Sequence, residues 1–592
     1  MTDVGAGPSR AGLRSPRLLL VLASVAVAFA AADTYVVVLA LPEMMGSVGI
    51  SIDQLQRAAP IISGFLLGYV AMLPLIGRIA DLRGRLPVLT AALVVFALGS
   101  LVTAMAYDLP SMVTGRFLQG VGGGGLVPAT LALVADLYPA ERRGVPLGVV
   151  SAVQELGSVL GPLFGAVVLA LADWRAIFAL NLAVGLVLAA AVRATAGRSP
   201  ARTTARGRPD VVGALLLAAT LVLGAVVFVR PAPLVRDLTW GAWFVPFAGS
   251  GRWLTPVGAA AVGALVLLLL RCVLARRPLV DLRGWWRSAR EADLVGALFL
   301  AVALGGVILA FATADPAVQV FSDQGLWYLL GSAVAALAFV LHLRRAEAPL
   351  LPRGALHRRP AWGAVAVSFF VGAALIAALI DIPIFARTTT YRDSQLMAAL
   401  VLVRFLVALP VGAVVGGYLV RSRSAGLVTT VGMGLSAVGF AMMSRWGVDA
   451  LEHPSATVAL VVCGLGFGLA LAPVNAAVLA STDDAVHGVA SAMVVVARMV
   501  GMLVGISALT TIGLRRFYAE QDAIDTVAQV CGQAQMCDAY RDLQKLAGVA
   551  QEQTVFAGAV VCCVVAGVLA LVLFRGAQTR GVQPRDSLGA TV

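Results

Sequence analysis

Long apolar runs separated by short polar stretches set the pattern of this chain. Runs of spanning length fall at 18–41, 58–76, 87–106, 111–137, 146–171 and 176–193. Four more follow at 211–229, 254–274, 292–313 and 325–343, and a last six at 362–386, 394–420, 425–446, 455–480, 485–514 and 553–574. About 20 apolar residues in a helix match the hydrocarbon thickness of a bilayer. The pattern therefore predicts an all-α polytopic membrane protein of about 16 transmembrane helices, with both termini on one side. The first run is too long for a cleavable signal and is read as a retained span.

The middle four runs contain a repeat. "DVVGALLLAATLVLGAVVF" (210–228) matches "DLVGALFLAVALGGVILAF" (293–311), with Asp210/Asp293, Gly213/Gly296, Leu217/Leu300 and Phe228/Phe311 among the identical pairs. Each copy runs through a second span into a polar exit, "RRPLVDLRG" (276–284) or "AEAPLLPRG" (346–354). This predicts a helical hairpin duplicated in tandem, over 210–284 and 293–354. Without it a 6+6 arrangement remains: a first bundle over 1–193, a linker region over 194–361 and a second bundle over 362–592. The stretch 515–553 is expected to carry the last two spans outward as helical extensions. "LPLIGRIADLRGR" (73–85) and "LPVGAVVGGYLVRSR" (409–423) end corresponding spans of the two halves. Paired halves around a central cavity are the plan of secondary transporters.

Composition agrees: 60% of the 592 residues are hydrophobic and 13% charged, with 62 glycines. The net charge of +13 does not indicate nucleic acid, because most of the 44 basic residues fall in loops and tails on the side of the termini. That is the positive-inside bias, and it places both termini in the cytoplasm of a bacterial plasma (inner) membrane. Lys545 is the only lysine, so no G-x-x-x-x-G-K-[ST] nucleotide loop exists in this sequence. Four histidines without metal-ligand spacing give no candidate metal site. Cys272, Cys463, Cys562 and Cys563 lie in apolar runs, whereas Cys531 and Cys537 flank "GQAQM" in a polar loop expected outside, where a disulfide can form.

Ionisable groups inside apolar runs are the candidate chemistry, since the bilayer penalises each by a few kcal/mol. Asp33 in the first span and Arg116 in the fourth lie at similar depth, with Gln119 one turn from Arg116, so a charge pair is open to them. Glu155 enters the fifth span beside Gly157, Gly161 and Gly165, a small-residue stripe that also carries Pro162. Arg498 lies near the middle of the fifteenth span, and Asp381 and Arg404 are further charges of the second half. A buried carboxylate near an arginine can take up and release a proton as water access alternates. In the turn "GRIADLRGR" (77–85), Gly77 and Gly84 permit close approach, and Asp81 can accept from a neighbouring helix N-terminus. Arg83 and Arg85 complete the candidate gate.

Together these stretches resemble the major facilitator superfamily, specifically its drug:proton antiporter branch with fourteen spans. "ADTYVVVLALP" is similar to the first-span Asp motif, "GRIADLRGR" to the loop motif, "RFLQGVGGG" to the fourth-span Arg motif, and "GSVLGPLFGA" to the antiporter motif of span five. "DWRAIFALN" (173–181) resembles the stretch that follows it. Leu82 and Leu86 stand where the loop motif has basic residues, with Arg83 displaced by one, and Val38 replaces the first-span Asn. "SVGISIDQLQR", "VQELGSVLGP", "ALIDIPIF" and "ASAMVVVARMVGMLVG" narrow the resemblance to a mycobacterial branch of the superfamily that exports triacylglycerides and drugs beside a periplasmic lipid-carrier lipoprotein.

That resemblance implies alternating access driven by the proton gradient, without a bound cofactor, and coupling or cavity roles for Asp33, Glu155 and Arg498. The expected substrates are lipid-like hydrophobic molecules, with membrane lipids as partners. A multidrug efflux antiporter shares the mechanics with a different cargo. A membrane scaffold for a lipoprotein is the alternative of another class. No nucleophile–base or metal constellation supports an enzyme.

Overall fold

The computed structural model describes residues 16–50, 55–139, 142–195, 210–248, 251–276, 278–312, 324–352, 354–391, 394–524, 537–577 and 579; within helices some side chains, those of Glu155 and Pro162 among them, lie outside that description. The apolar runs form sixteen long helices among these residues. The first six are α1 (Pro16–Ser47), α2 (Leu55–Arg83), α3 (Arg85–Ala104), α4 (Leu109–Leu137), α5 (Gly144–Leu171) and α6 (Trp174–Thr195). The middle four are α7 (Val211–Val229), α8 (Pro256–Leu274), α9 (Leu294–Ala312) and α10 (Gly325–Arg345). The last six are α11 (Arg359–Thr388), α12 (Gln395–Leu419), α13 (Ala425–Met443), α14 (Pro454–Leu479), α15 (His487–Asp522) and α16 (Asp538–Leu573). Fifteen are long and apolar enough to cross a membrane among the described residues. The remaining one, α5, is a 28-residue helix. The protein is a multi-pass membrane protein.

Helix starts follow from local chemistry. Asp108 and Ser111 form a reciprocal capping box at α4, and Thr255, Ser394 and Ser424 accept from backbone amides at the starts of α8, α12 and α13. Interior contacts are made by small residues. A Cβ at Gly120 or Gly124 of α4 would collide with the α2 backbone at Phe65 or Tyr69, and one at Gly122 with α3 at Phe96. Glycine is what lets three helices meet there.

The two sets of six repeat one packing scheme. In the first, α1 packs on α5, α2 and α3 on α4, and α3 on α6; in the second, α11 packs on α15, α12 and α13 on α14, and α13 on α16. The halves meet through α2 against α15 and α5 against α12. Of the middle helices, α7 pairs with α8 and α9 with α10, and α9 lies against α2 and α15.

The two hairpins have matching ends. Asp210 accepts from Gly213 N (2.9 Å), Leu279 N (3.2 Å) and the Arg271 guanidinium of α8 (3.0 Å). Asp293 accepts from Gly296 N (2.8 Å) and Leu350 N (2.9 Å) and pairs with His342 of α10 (2.7 Å). In both copies one carboxylate caps the first helix, holds the exit of the second and pairs with a side chain near its end.

One sequence expectation needs correction. The basic stretch expected as loop after 276 contains a ten-residue helix, Leu282–Glu291, which contacts α2. Over the stretch expected as helical extensions, 515–553, the described residues are helical at both ends: α15 runs to Asp522 and α16 begins at Asp538, with Glu552 buried where α16 packs on α11 and α13.

Candidate functional site

Within the first half, Asp33 of α1 is the centre of a polar network. Arg116 Nη1 of α4 donates to Asp33 Oδ2 at 2.6 Å. Gln119 Nε2, one turn further along α4, donates to Asp33 Oδ1 at 3.3 Å, and Asn181 Nδ2 of α6 donates to the same oxygen. Gln119 also receives from Arg116 (3.0 Å) and donates to Ser100 of α3 (2.9 Å). Three helices, α1, α4 and α6, thus converge on one carboxylate that is 2% exposed, and α3 joins the network through Ser100. The Arg116 guanidinium lies over the Phe65 ring of α2, 4.4 Å from its centroid. Its Nε finds no partner.

The local sequence explains why this fits. Gly99 and Gly115 bring α3 and α4 so close that a Cβ on Gly99 would meet the Gln119 amide and one on Gly115 would meet Thr103. On the other side, Gly157 and Gly161 of α5 let α1 approach at Ala28 and Ala32. Gly165, the next of that stripe, is buried. Asn181 was not singled out by sequence reasoning; a single asparagine in an apolar helix carries no spacing signal, although it ends "DWRAIFALN". Ser100 and Thr103 were likewise not singled out.

A second cluster closes the seam between the halves at the end that carries the chain termini. Asp81 of α2 accepts from Gly488 N (2.8 Å) and Val489 N (3.1 Å) at the start of α15, and pairs with Arg85 (3.2 Å). A carboxylate there meets both the free amides and the positive end of the helix dipole. Arg78 donates to Ala485 O (3.1 Å) and Arg85 to Asp484 O (3.0 Å). Gly77 and Gly488 approach so closely that a Cβ on either would strike the other's carbonyl. Gly84 adopts φ +95°, which turns the chain from α2 into α3 without a Cβ clash. Asn475 of α14 donates to Ser151 of α5 (3.4 Å), a further bond across the halves.

Arg498 of α15 is buried and borders a small pocket with Ser368, Ala470, Val474 and Asn475. Arg404 donates to Thr457 (3.0 Å). The structure therefore brings Asp33, Arg116 and Gln119 together, while Arg498, Asp381 and Arg404 lie in the second half. Glu155 and Pro162 fall outside the described side chains. Cys537 is disulfide-bonded, Cys531 lies outside the described residues, and Cys272, Cys463, Cys562 and Cys563 are free.

This architecture has close counterparts. The sequence is 35% identical over 522 residues to a triacylglyceride transporter of Mycobacteroides abscessus, covering 86% of this chain and 85% of the relative. A triacylglyceride transporter of Mycolicibacterium smegmatis is 34% identical over 568 residues, covering 93% and 86%. One of Mycobacterium tuberculosis is 35% identical over 515 residues, covering 85% and 83%. In fold the chain is similar to the human organic anion transporter MFSD10, at a TM-score of 0.52 and 12% identity, covering 94% of this chain and all of the other. The profile of the Major Facilitator Superfamily matches residues 23–506, which takes in both polar clusters, the first half and the second as far as α15. By packing scheme and by sequence alike, the chain belongs to the major facilitator superfamily and is a transporter, not an enzyme.

Proposed function

We propose that this transporter is a proton-coupled exporter of triacylglyceride-like hydrophobic molecules, working by alternating access in a bacterial inner membrane with both termini in the cytoplasm. The observation that carries the coupling is the Asp33 carboxylate, buried and held by Arg116, Gln119 and Asn181. Protonating Asp33 removes the charge that Arg116 balances and leaves a buried cation seeking a new partner. Such a change in a low-dielectric interior is worth several kcal/mol, enough to bias two conformations. The Asp81 clasp is the closed inner gate of an outward-facing state. The lipid-like cargo is supported by the names of the mycobacterial relatives.

Helices α15 and α16 have 36 residues each, about 54 Å of rise against a core of about 30 Å. Their far ends project from the membrane, where hand-over to a periplasmic lipid-carrier lipoprotein would take place.

The test is counter-transport in proteoliposomes under an imposed pH gradient, comparing a triacylglyceride with a cationic dye. Asp33→Asn should stop gradient-driven export of the lipid while the protein stays folded. Dye transport without lipid transport would replace this reading with multidrug efflux. Unchanged lipid delivery by Asp33→Asn would point to a scaffold.

A further inference from the structure

The second half contains a buried acid pair that the Asp33 network does not involve. Asp381 of α11 and Glu552 of α16 keep 3% and 1% of their surface where the two helices pack together, and their carboxyls lie within hydrogen-bonding reach of one another. By helix rise they sit about 33 Å and about 32 Å from the termini end of their helices, so they meet at one depth towards the far side. Glu552 Oε1 accepts from Gln551 Nε2 at 3.2 Å, while Oε2 is buried without a donor. Phe385, one turn from Asp381, and Phe556, one turn from Glu552, both meet the Trp446 ring, at 5.0 and 6.0 Å between centroids. Among the described residues no hydrogen bond or ion pair joins either acid to a basic side chain.

We propose that Asp381 and Glu552 hold one exchangeable proton between them and form a second proton-binding site of this carrier, distinct from Asp33. Ionised carboxylates are acceptors only, so a hydrogen bond between two of them requires one O–H. Two anions side by side in an apolar pocket with no cation would repel at close range, as in paired-carboxylate sites that share a proton. The pair also sits at a weak point of α11. Pro383, two residues past Asp381, lies inside the helix and cannot donate to the Leu379 carbonyl. Release of the proton leaves like charges on α11 and α16, and the far end of α11 can move away from α16 by bending at Pro383. The proton on the pair thus holds α11 against α16 at the far mouth. The coupling of this movement to transport rests on the exporter reading; the shared proton does not.

Infrared spectroscopy of the full-length protein in lipid nanodiscs, titrated with pH and repeated in D2O, reads the proton directly. A protonated-carboxyl band that titrates, shifts in D2O and changes its frequency and titration midpoint in both Asp381→Asn and Glu552→Gln is the expected result. In proteoliposomes, Asp381→Asn should flatten the pH dependence of counter-transport while the rate at the optimum falls no more than about threefold. A band that persists unchanged in both variants overturns the proposal, as does an Asp381→Asn pH profile that superimposes on the parent. A sodium-dependent rise in melting temperature without a carboxyl band overturns it in favour of a metal-cation site. If Asp33→Asn still exports lipid under a gradient, the exporter reading falls, and the infrared band still decides the pair.

Discussion

At the scale of single residues, the first-half network depends on matching one buried anion with one buried cation. Arg116 does more than supply charge. It reaches Asp33 and Gln119 through Nη1, and its plane covers Phe65. Removing one partner of such a pair leaves the other charge uncompensated, at about 3–5 kcal/mol. Arg116→Ala should therefore lower the melting temperature in detergent sharply, and Arg116→Lys should recover only part of it, since an ammonium lacks the planar fork and the stacking face. A full rescue by lysine would show that charge alone matters. The sequence made Asp33, Arg116 and Gln119 visible because ionisable groups are rare in apolar runs. Asn181 and Ser100 were not visible, because neutral polar residues in a helix are ordinary until a partner is known. Glu552 was not singled out for a related reason: the run Gln551–Glu552–Gln553 reads as the end of a polar helical extension until α11 supplies Asp381.

At the scale of helices, the inserted hairpins carry their own fastenings. Arg83, the arginine displaced by one place from the loop motif, donates to Asp281 (3.1 Å) and Ser288 (3.4 Å) and covers the Trp285 ring at 4.5 Å. The short helix Leu282–Glu291 is thereby fixed to the end of α2. The ion pair is partly exposed, so its loss should cost no more than about 1 kcal/mol. Arg83→Ala is instead expected to alter tryptophan emission near the inner face with little change in melting temperature; unchanged emission would mean that the helix is held by packing alone. The Asp210 cap behaves differently with pH. The Gly213 amide first, then the Arg271 guanidinium and the Leu279 amide, hold its carboxyl below the usual aspartate range. A depressed value stabilises above the unfolded pKa of about 3.9 and is lost as pH falls through the folded one. Exchange protection of the Gly213 amide should therefore be flat from about pH 5 to about pH 8 and decline only in stronger acid. The matching positions of Asp210 and Asp293 were legible in the sequence register. The short helix was not, because its arginines dominate the local composition.

At the scale of the whole molecule, the two halves are joined where the α15 start meets Asp81. Its partners, Gly488 and Val489, are some four hundred positions away in the chain, so the local pattern offered Asp81 as an acceptor for a helix N-terminus without revealing which helix. The paired halves were legible from hydropathy and from the echoed span ends; which face they close was not. Asp81→Ala removes the acceptor for both amides and is expected to loosen the seam at this end. Spin labels on the inner ends of α2 and α15 should then show a broader, longer distance distribution, and an unchanged one would mean that the glycine contact at Gly77 and Gly488 suffices.

The twin ends of the inserted hairpins carry one more consequence. Each satisfies its entry amides, its exit amide and its charge from within its own forty to seventy residues, in the manner of a cassette. Such a unit can be copied, lost or transplanted without unravelling its host, because its capping carboxylate serves partners within the hairpin itself. That self-sufficiency is a physical reason why a carrier of this kind could acquire a second copy and still fold.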